Sequence, residues 1–141
     1  IPNLAGVKFT HHNLMEMGDC IQLDNGAFEV LHGFDETLIC GLALGAVAGV
    51  GSTYNYIPHI YLNILKSMES NDVETARAFQ VQSVEMVKII IQYGGGVRGG
   101  KAIMNLMGIE CGSCRPPFAT FEREEYDALQ ESLRSVGLLV K

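Results

Sequence analysis

The sequence predicts an α/β chain in which a short parallel sheet leads into a helical tail. Two patterns carry that prediction. Three compact apolar runs alternate with helical-period segments over the first 50 residues, and from residue 57 onward the apolar period is helical throughout. Composition agrees: 141 residues with 48% hydrophobic and 18% charged side chains describe one globular domain with a real core, not a disordered chain.

The elements follow in order. Leu4 to Phe9 reads as a buried strand, ended by the polar Thr10, His11, His12 and Asn13. Leu14, Met17 and Ile21 recur at helical spacing, and Asp24-Asn25-Gly26 supplies a turn that tolerates positive φ. Ala27 to His32 has strand character. Gly33 to Thr37 is the loop after it, leading to a helix marked by Leu38, Ile39, Leu42 and Ala43. Ala46 to Val50 is the third strand, closed by Gly51-Ser52-Thr53. Strands separated by such helices pair in parallel through right-handed crossovers.

The tail begins with a stripe of Ile57, Ile60, Tyr61, Ile64, Leu65 and Met68, with Pro58 placed in the first turn. Asn71 or Asp72 caps a long second helix that buries Ala76, Phe79, Ser83, Met86, Val87 and Ile90 and stops at Gly94. A third helix is expected from about Gly100 to Met107. The fourth starts near Glu122 and turns Tyr126, Leu129, Leu133 and Val136 inward, after an irregular connector over 111–121. Three strands and a tail cannot close on themselves, so the pattern fits either a small open sheet or part of a (β/α)8 barrel, which needs eight strands.

Charge and motifs exclude several function classes. A formal charge of −6 offers no positive field to gather phosphate backbones, so nucleic acid is not an expected partner. The apolar run near Ile39 to Val50 is broken by glycines and falls short of the roughly 20 residues a bilayer requires, so no membrane span is expected. Four cysteines without a secretory leader read as reduced thiols, and the expected location is cytoplasmic. Gly95 to Lys101 matches a phosphate-loop spacing, but Ala102 stands where a magnesium-binding hydroxyl belongs. Cys111-Gly112-Ser113-Cys114 has metal-like spacing without a second ligand pair, so loop thiols are the better reading and no metal is expected. His11 and His12 read as solvated loop side chains, and Tyr54 and Tyr56 as packing residues.

Three loops following the strands carry the chemistry. Lys8 is a lone amine at the carboxyl end of an apolar strand. Burial there would favour the free amine, the form that attacks a carbonyl, while a strand-end lysine that keeps its head in water is the commoner reading of the segment taken alone. Asp35-Glu36 beside Gly33 can accept hydrogen bonds from a polyol or complement the next helix's dipole. Gly51-Ser52-Thr53 adds a hydroxyl and backbone amides. Loops after successive parallel strands open on one face, so the three segments converge.

Leu4-Ala5-Gly6-Val7-Lys8-Phe9-Thr10, Gly33-Phe34-Asp35-Glu36, Gly49-Val50-Gly51-Ser52-Thr53-Tyr54-Asn55 and Gly100-Lys101-Ala102-Ile103-Met104 together resemble the N-acetylneuraminate lyases (sialic acid aldolases) of the pyruvate-dependent class I aldolase superfamily, which also holds dihydrodipicolinate synthase. The resemblance implies that the chain is the C-terminal part of a (β/α)8 barrel, strands six to eight within residues 1–55, followed by helices over 56–141 that pack on it. Lys8 is then the catalytic Schiff-base lysine. Thr10, Gly33, Asp35, Glu36 and Ser52 are substrate-binding, with Phe34 replacing a tyrosine common there. The implied reaction cleaves N-acetylneuraminate to N-acetylmannosamine and pyruvate without metal or organic cofactor, in a protein that is tetrameric at full length. Another pyruvate-dependent aldolase, such as dihydrodipicolinate synthase, is the alternative activity, and the Asp35-Glu36 pair argues against it. The other alternative is an inactive truncated form that self-associates. A chain that starts at Ile1 almost inside its first strand is expected to be a piece of something longer. By the resemblance it lacks strands one to five, a catalytic tyrosine and a Ser-Thr or Thr-Thr pair for the pyruvate carboxylate, so the fragment alone is expected to be inactive.

Overall fold

The computed structural model describes residues 1–138. Strands β1 (Gly6–Phe9), β2 (Glu29–His32) and β3 (Ala48–Gly49) form one sheet in that spatial order, both pairings parallel. Helices α1 (Leu14–Gln22) and α2 (Leu38–Leu44) make the crossovers. Lys8 pairs with Leu31, Phe9 with His32, and His32 with Gly49, so the three carboxyl ends lie side by side. Asn13 caps α1 by accepting from the Glu16 amide, and Asp24 and Asn25 take the positive φ that their turn allows.

Two departures in the sheet have physical causes. The run from Ala46 to Val50 gives only two strand residues, yet the Val47 amide donates to Val30 O and the Val50 amide to His32 O, so the ladder continues on either side of β3. The first strand was expected to be buried. It is not: β1 is an edge strand among the described residues, Val7 is 45% exposed, and Lys8 is exposed. A strand with one neighbour has only half of its flanks covered, whatever its apolar content.

The tail holds helices α3 (Pro58–Glu69), α4 (Val73–Gln92), α5 (Gly95–Leu106) and α6 (Arg123–Ser135). Pro58 starts α3, and Asp72 caps α4 through the Thr75 amide. The main core lies among these helices and reaches α2 at Leu38; it includes Ile60, Ile64, Met86, Ile103, Leu129 and Leu133. A smaller cluster, Met17, Val30 and Ala46, sits under the sheet. Helix α5 begins at Gly95, five residues ahead of the expected start, and the left-handed Gly94 both ends α4 and opens α5. Gly99 and Gly100 are poor helix formers, but they are buried, and a Cβ at Gly100 would overlap the Tyr56 hydroxyl. Close packing decides that segment. Arg98 ties α5 to α6 by bonding both Glu125 carboxylate oxygens and lying 4.3 Å from the Phe121 ring centre. No helix among the described residues is long and apolar enough to cross a membrane.

Candidate active site

The carboxyl ends of the strands open on a cavity of about 290 Å³. Lys8 from the end of β1, Gly33, Asp35 and Glu36 from the loop after β2, and Gly51, Ser52 and Thr53 from the loop after β3 line one side. Val87, Ile90 and Ile91 of α4 and Gly95 and Gly96 of α5 close the other. Thr10 does not line it. Its hydroxyl instead rests against Gly33, where a Cβ would overlap it, while the Gly33 amide donates to Phe9 O at 2.8 Å. Thr10 therefore holds the first loop to the second.

The two adjacent carboxylates have different surroundings. Asp35 is 6% exposed, and its Oδ2 accepts from the Thr53 amide at 2.9 Å and from the Thr53 hydroxyl at 2.5 Å. Because Thr53 Oγ1 donates to Asp35, it accepts from the Tyr61 hydroxyl, giving a chain that runs from α3 to the loop after β2. The other carboxylate oxygen lies so close to Gly51 that a Cβ there would overlap it. The Asp35 carbonyl is held as well: Gln80 Nε2 and Ser83 Oγ of α4 each donate to it at 3.0 Å, and Gln80 Oε1 accepts from the Ile39 amide at 2.9 Å. Ser83 and Thr53 are fully buried, and these bonds satisfy their hydroxyls.

Glu36 is half-buried and Ser52 and Lys8 are exposed, and among the described residues none of the three side chains makes a hydrogen bond. Three polar groups with unused capacity thus face the cavity, next to an aspartate already engaged. An amine, a carboxylate and a hydroxyl in one recess can bind a carbonyl compound that carries hydroxyls.

Aromatic groups back the clasp. Tyr54 stacks on Tyr61 with ring centres 3.9 Å apart, in keeping with the packing role expected of Tyr54. Burial, reinforced by the negative charge of Asp35, pushes the Tyr61 phenol up to about 12, against the opposing effect of its hydrogen-bond partners. On the other face of β2, His32 is buried with Nε2 on Thr37 Oγ1 at 2.9 Å, and burial lowers its pKa despite the nearby Glu36 and Asp35 charges. Thr53, Tyr61, Gln80 and Ser83 escaped the sequence reading as site supports. One signal was present, since Ser83 is a polar residue in an otherwise apolar helix stripe.

Comparison with known proteins identifies the family. The Dihydrodipicolinate synthetase family matches residues 1–136. The N-acetylneuraminate lyases of Mus musculus and Homo sapiens are each 35% identical to the chain over 141 residues, covering 99% of it and 44% of the relative. The solved N-acetylneuraminate lyase of Aliivibrio salmonicida superposes with a TM-score of 0.90 at 32% identity, covering 99% of this chain and 46% of that one. The Proteus mirabilis lyase gives 0.89 at 30%, with 99% and 47% covered. The chain spans less than half the length of these relatives. With a match that runs through nearly all of its residues, the chain belongs to the dihydrodipicolinate synthetase family.

Proposed function

We propose that this chain supplies the lysine-bearing part of an N-acetylneuraminate lyase, acting within a complete (β/α)8 barrel of which β1 to β3 are strands six to eight. Residues 1–55 then form the barrel segment and 56–141 the helices that pack on it. The observation that carries this reading is the convergence of Lys8, Gly33, Asp35, Glu36 and Ser52, from the ends of three successive parallel strands, on a single cavity.

In the proposed reaction the Lys8 amine adds to the keto carbon of the open-chain sugar acid, and water leaves to give an iminium. The positive nitrogen draws electrons as the hydroxyl on the second carbon from the iminium carbon gives up its proton and the carbon–carbon bond breaks, which releases N-acetylmannosamine as the aldehyde, leaves an enamine and frees a proton for the next step. Protonation of that enamine and hydrolysis return the amine and free pyruvate. Glu36 accepts from, and Ser52 exchanges hydrogen bonds with, the hydroxyls of the sugar tail. Asp35, fixed by Thr53 and by α4, shapes the recess and presents its remaining lone pairs to the same hydroxyls.

The exposure of Lys8 at an edge strand supports a further part of the proposal, that an additional strand beside β1 is needed to dry the amine. The 141-residue chain alone is therefore proposed to be inactive, and the full-length enzyme to be a cytoplasmic tetramer. Incubation with pyruvate and borohydride, followed by peptide mapping, tests the site. In a full-length form, reductive trapping is expected at Lys8 and is abolished in Lys8→Met; trapping at another lysine, or sugar cleavage by Lys8→Met, overturns the assignment. Turnover by the isolated 141 residues would overturn the requirement for a complete barrel.

A further inference from the structure

Away from the strand ends, α5, α6 and the connector between them line a second cavity of about 200 Å³. Lys101 and Asn105, one helical turn apart on α5, share the face that meets the connector. The Lys101 ammonium donates to Cys111 O at 2.9 Å and to Ser113 O at 3.0 Å, which uses two of its three donors. Both acceptors are neutral, and Lys101 has no ion-pair partner among the described residues. Arg98, the other cation lining the cavity, is neutralised by the two oxygens of Glu125. No carboxylate is among the described lining residues.

Asn105 fixes the polarity of Tyr126. The Cys111 amide can only donate, and its partner at 3.3 Å is therefore Asn105 Oδ1, so Nδ2 is the end that donates to the Tyr126 hydroxyl at 2.9 Å. Having accepted there, Tyr126 keeps its own phenolic proton, for which the described residues supply no acceptor. The cavity thus holds one spare donor of an unneutralised ammonium and one phenolic proton, beside the Phe121 ring and Ala102.

We infer that this cavity is a binding site for a small monocarboxylate with an apolar body. One carboxylate oxygen accepts from the Lys101 ammonium and the other from the Tyr126 hydroxyl, while Phe121 and Ala102 face the apolar part; hydrogen bonds to an ionised group are the strong ones. Size narrows the class, since pockets for drug-sized ligands run roughly 300–1,000 Å³ and this one is smaller. Charge narrows it too: a phosphate dianion would bring more oxygens than there are free donors and a second charge with no counterpart. The cavity shares no residue with the one at the strand ends, although α5 walls both, there with Gly95 and Gly96 and here with Lys101 and Asn105.

Benzoate, which has no aldehyde or ketone carbonyl to condense with an amine, probes the site independently of the chemistry at Lys8. The intact 141-residue chain, labelled with nitrogen-15, is titrated with benzoate, with benzamide as its uncharged counterpart of similar shape, and with inorganic phosphate. Benzoate is expected to bind saturably and to move the amide signals of Ser113, Cys114 and Tyr126 while leaving those of Gly33, Asp35 and Ser52 in place. Benzamide and phosphate are each expected to bind at least about tenfold more weakly. Tyr126→Phe, which keeps the ring and loses the hydroxyl, should weaken benzoate about tenfold, and Lys101→Met should abolish saturation. The same spectra show whether each variant is folded, and if Lys101→Met unfolds, Tyr126→Phe decides. No saturable binding of benzoate, signal changes at Gly33 and Asp35 in place of the connector, equal binding of benzamide or phosphate, or unchanged affinity in folded Tyr126→Phe would overturn the inference.

Discussion

The sheet and the helical tail bury themselves by different means. The tail packs four helices around one continuous core with Ile60, Ile64, Met86, Ile103 and Leu129 nearly inaccessible, whereas the sheet rests on a small buried cluster of Met17, Val30 and Ala46 and, among the described residues, leaves β1 open on one flank. Between them stands a polar clasp, Asp35 held by Thr53, Gln80 and Ser83. Apolar burial stabilises the tail internally, while the sheet depends on what lies beside it. The candidate site sits on that boundary. Its positions are fixed by hydrogen bonds across it and not by a core of its own.

The largest expected effects test the inequality of the two cores. Ile64→Ala should lower unfolding free energy toward the upper part of the roughly 2–5 kcal/mol range for such truncations, because the tightly packed tail cannot collapse into the space. Met17→Ala should fall toward the lower part of the same range, since its cluster is bordered by half-exposed Phe9, Cys20 and Ile21 that can move in. Urea titration of both variants provides the measurement. Equal losses would mean that the sheet is as self-sufficient as the tail.

The clasp comes next. Asp35→Asn keeps the shape but replaces a charged acceptor shared by two Thr53 donors, and a loss of about 1.5–3 kcal/mol is expected. Ser83→Ala removes one of two donors to the Asp35 carbonyl and should cost about 1 kcal/mol. Glu36→Gln, which breaks no bond seen among the described residues, should stay within about 0.5 kcal/mol. If Glu36→Gln were as damaging as Asp35→Asn, the division between an engaged and an available carboxylate would be wrong. Hydrogen exchange at the Thr53 amide reports the same contrast, with faster exchange expected only in Asp35→Asn and Ser83→Ala.

This boundary also separates what the residue pattern could and could not show. Local periodicity was enough to set Lys8, Asp35, Glu36 and Ser52 at the ends of parallel strands, because a strand's carboxyl end follows from its own apolar run. The bonds from Gln80 and Ser83 to Asp35 span 45 and 48 residues, and nothing in either segment names its partner. The start of α5 was misplaced for a related reason. Gly95, Gly96, Gly99 and Gly100 disfavour a helix locally, and the close approach of Gly99 to the end of α4 and of Gly100 to Tyr56 outweighs that preference. The openness of β1 escaped as well, since an apolar run signals burial without saying how many neighbours supply it.

The last contrast distinguishes the regions by pH. His32 ends strand β2 of the sheet, and burial depresses its pKa below the ordinary 6.5. The unfolded chain therefore takes up this proton at a higher pH than the folded one, so stability present above pH 6.5 is lost as pH falls through that value toward the folded pKa. Tyr61 of the tail has the opposite displacement. Its phenol, ordinarily near 10.0 and raised to about 12, gives stability that is complete below pH 10 and lost as pH rises toward 12. Urea midpoints measured across pH should accordingly fall at both ends. His32→Gln should flatten the acid slope between about pH 5 and 7 while leaving the alkaline one, and Tyr61→Phe should soften the alkaline slope while leaving the acid one. Asp72 and Glu125, held below the usual carboxylate range by their hydrogen-bond partners, act at lower pH and do not overlap this window. If one substitution flattened both slopes, the two buried groups would be reporting a single shared environment, and the contrast between sheet and tail would not hold at the level of individual side chains.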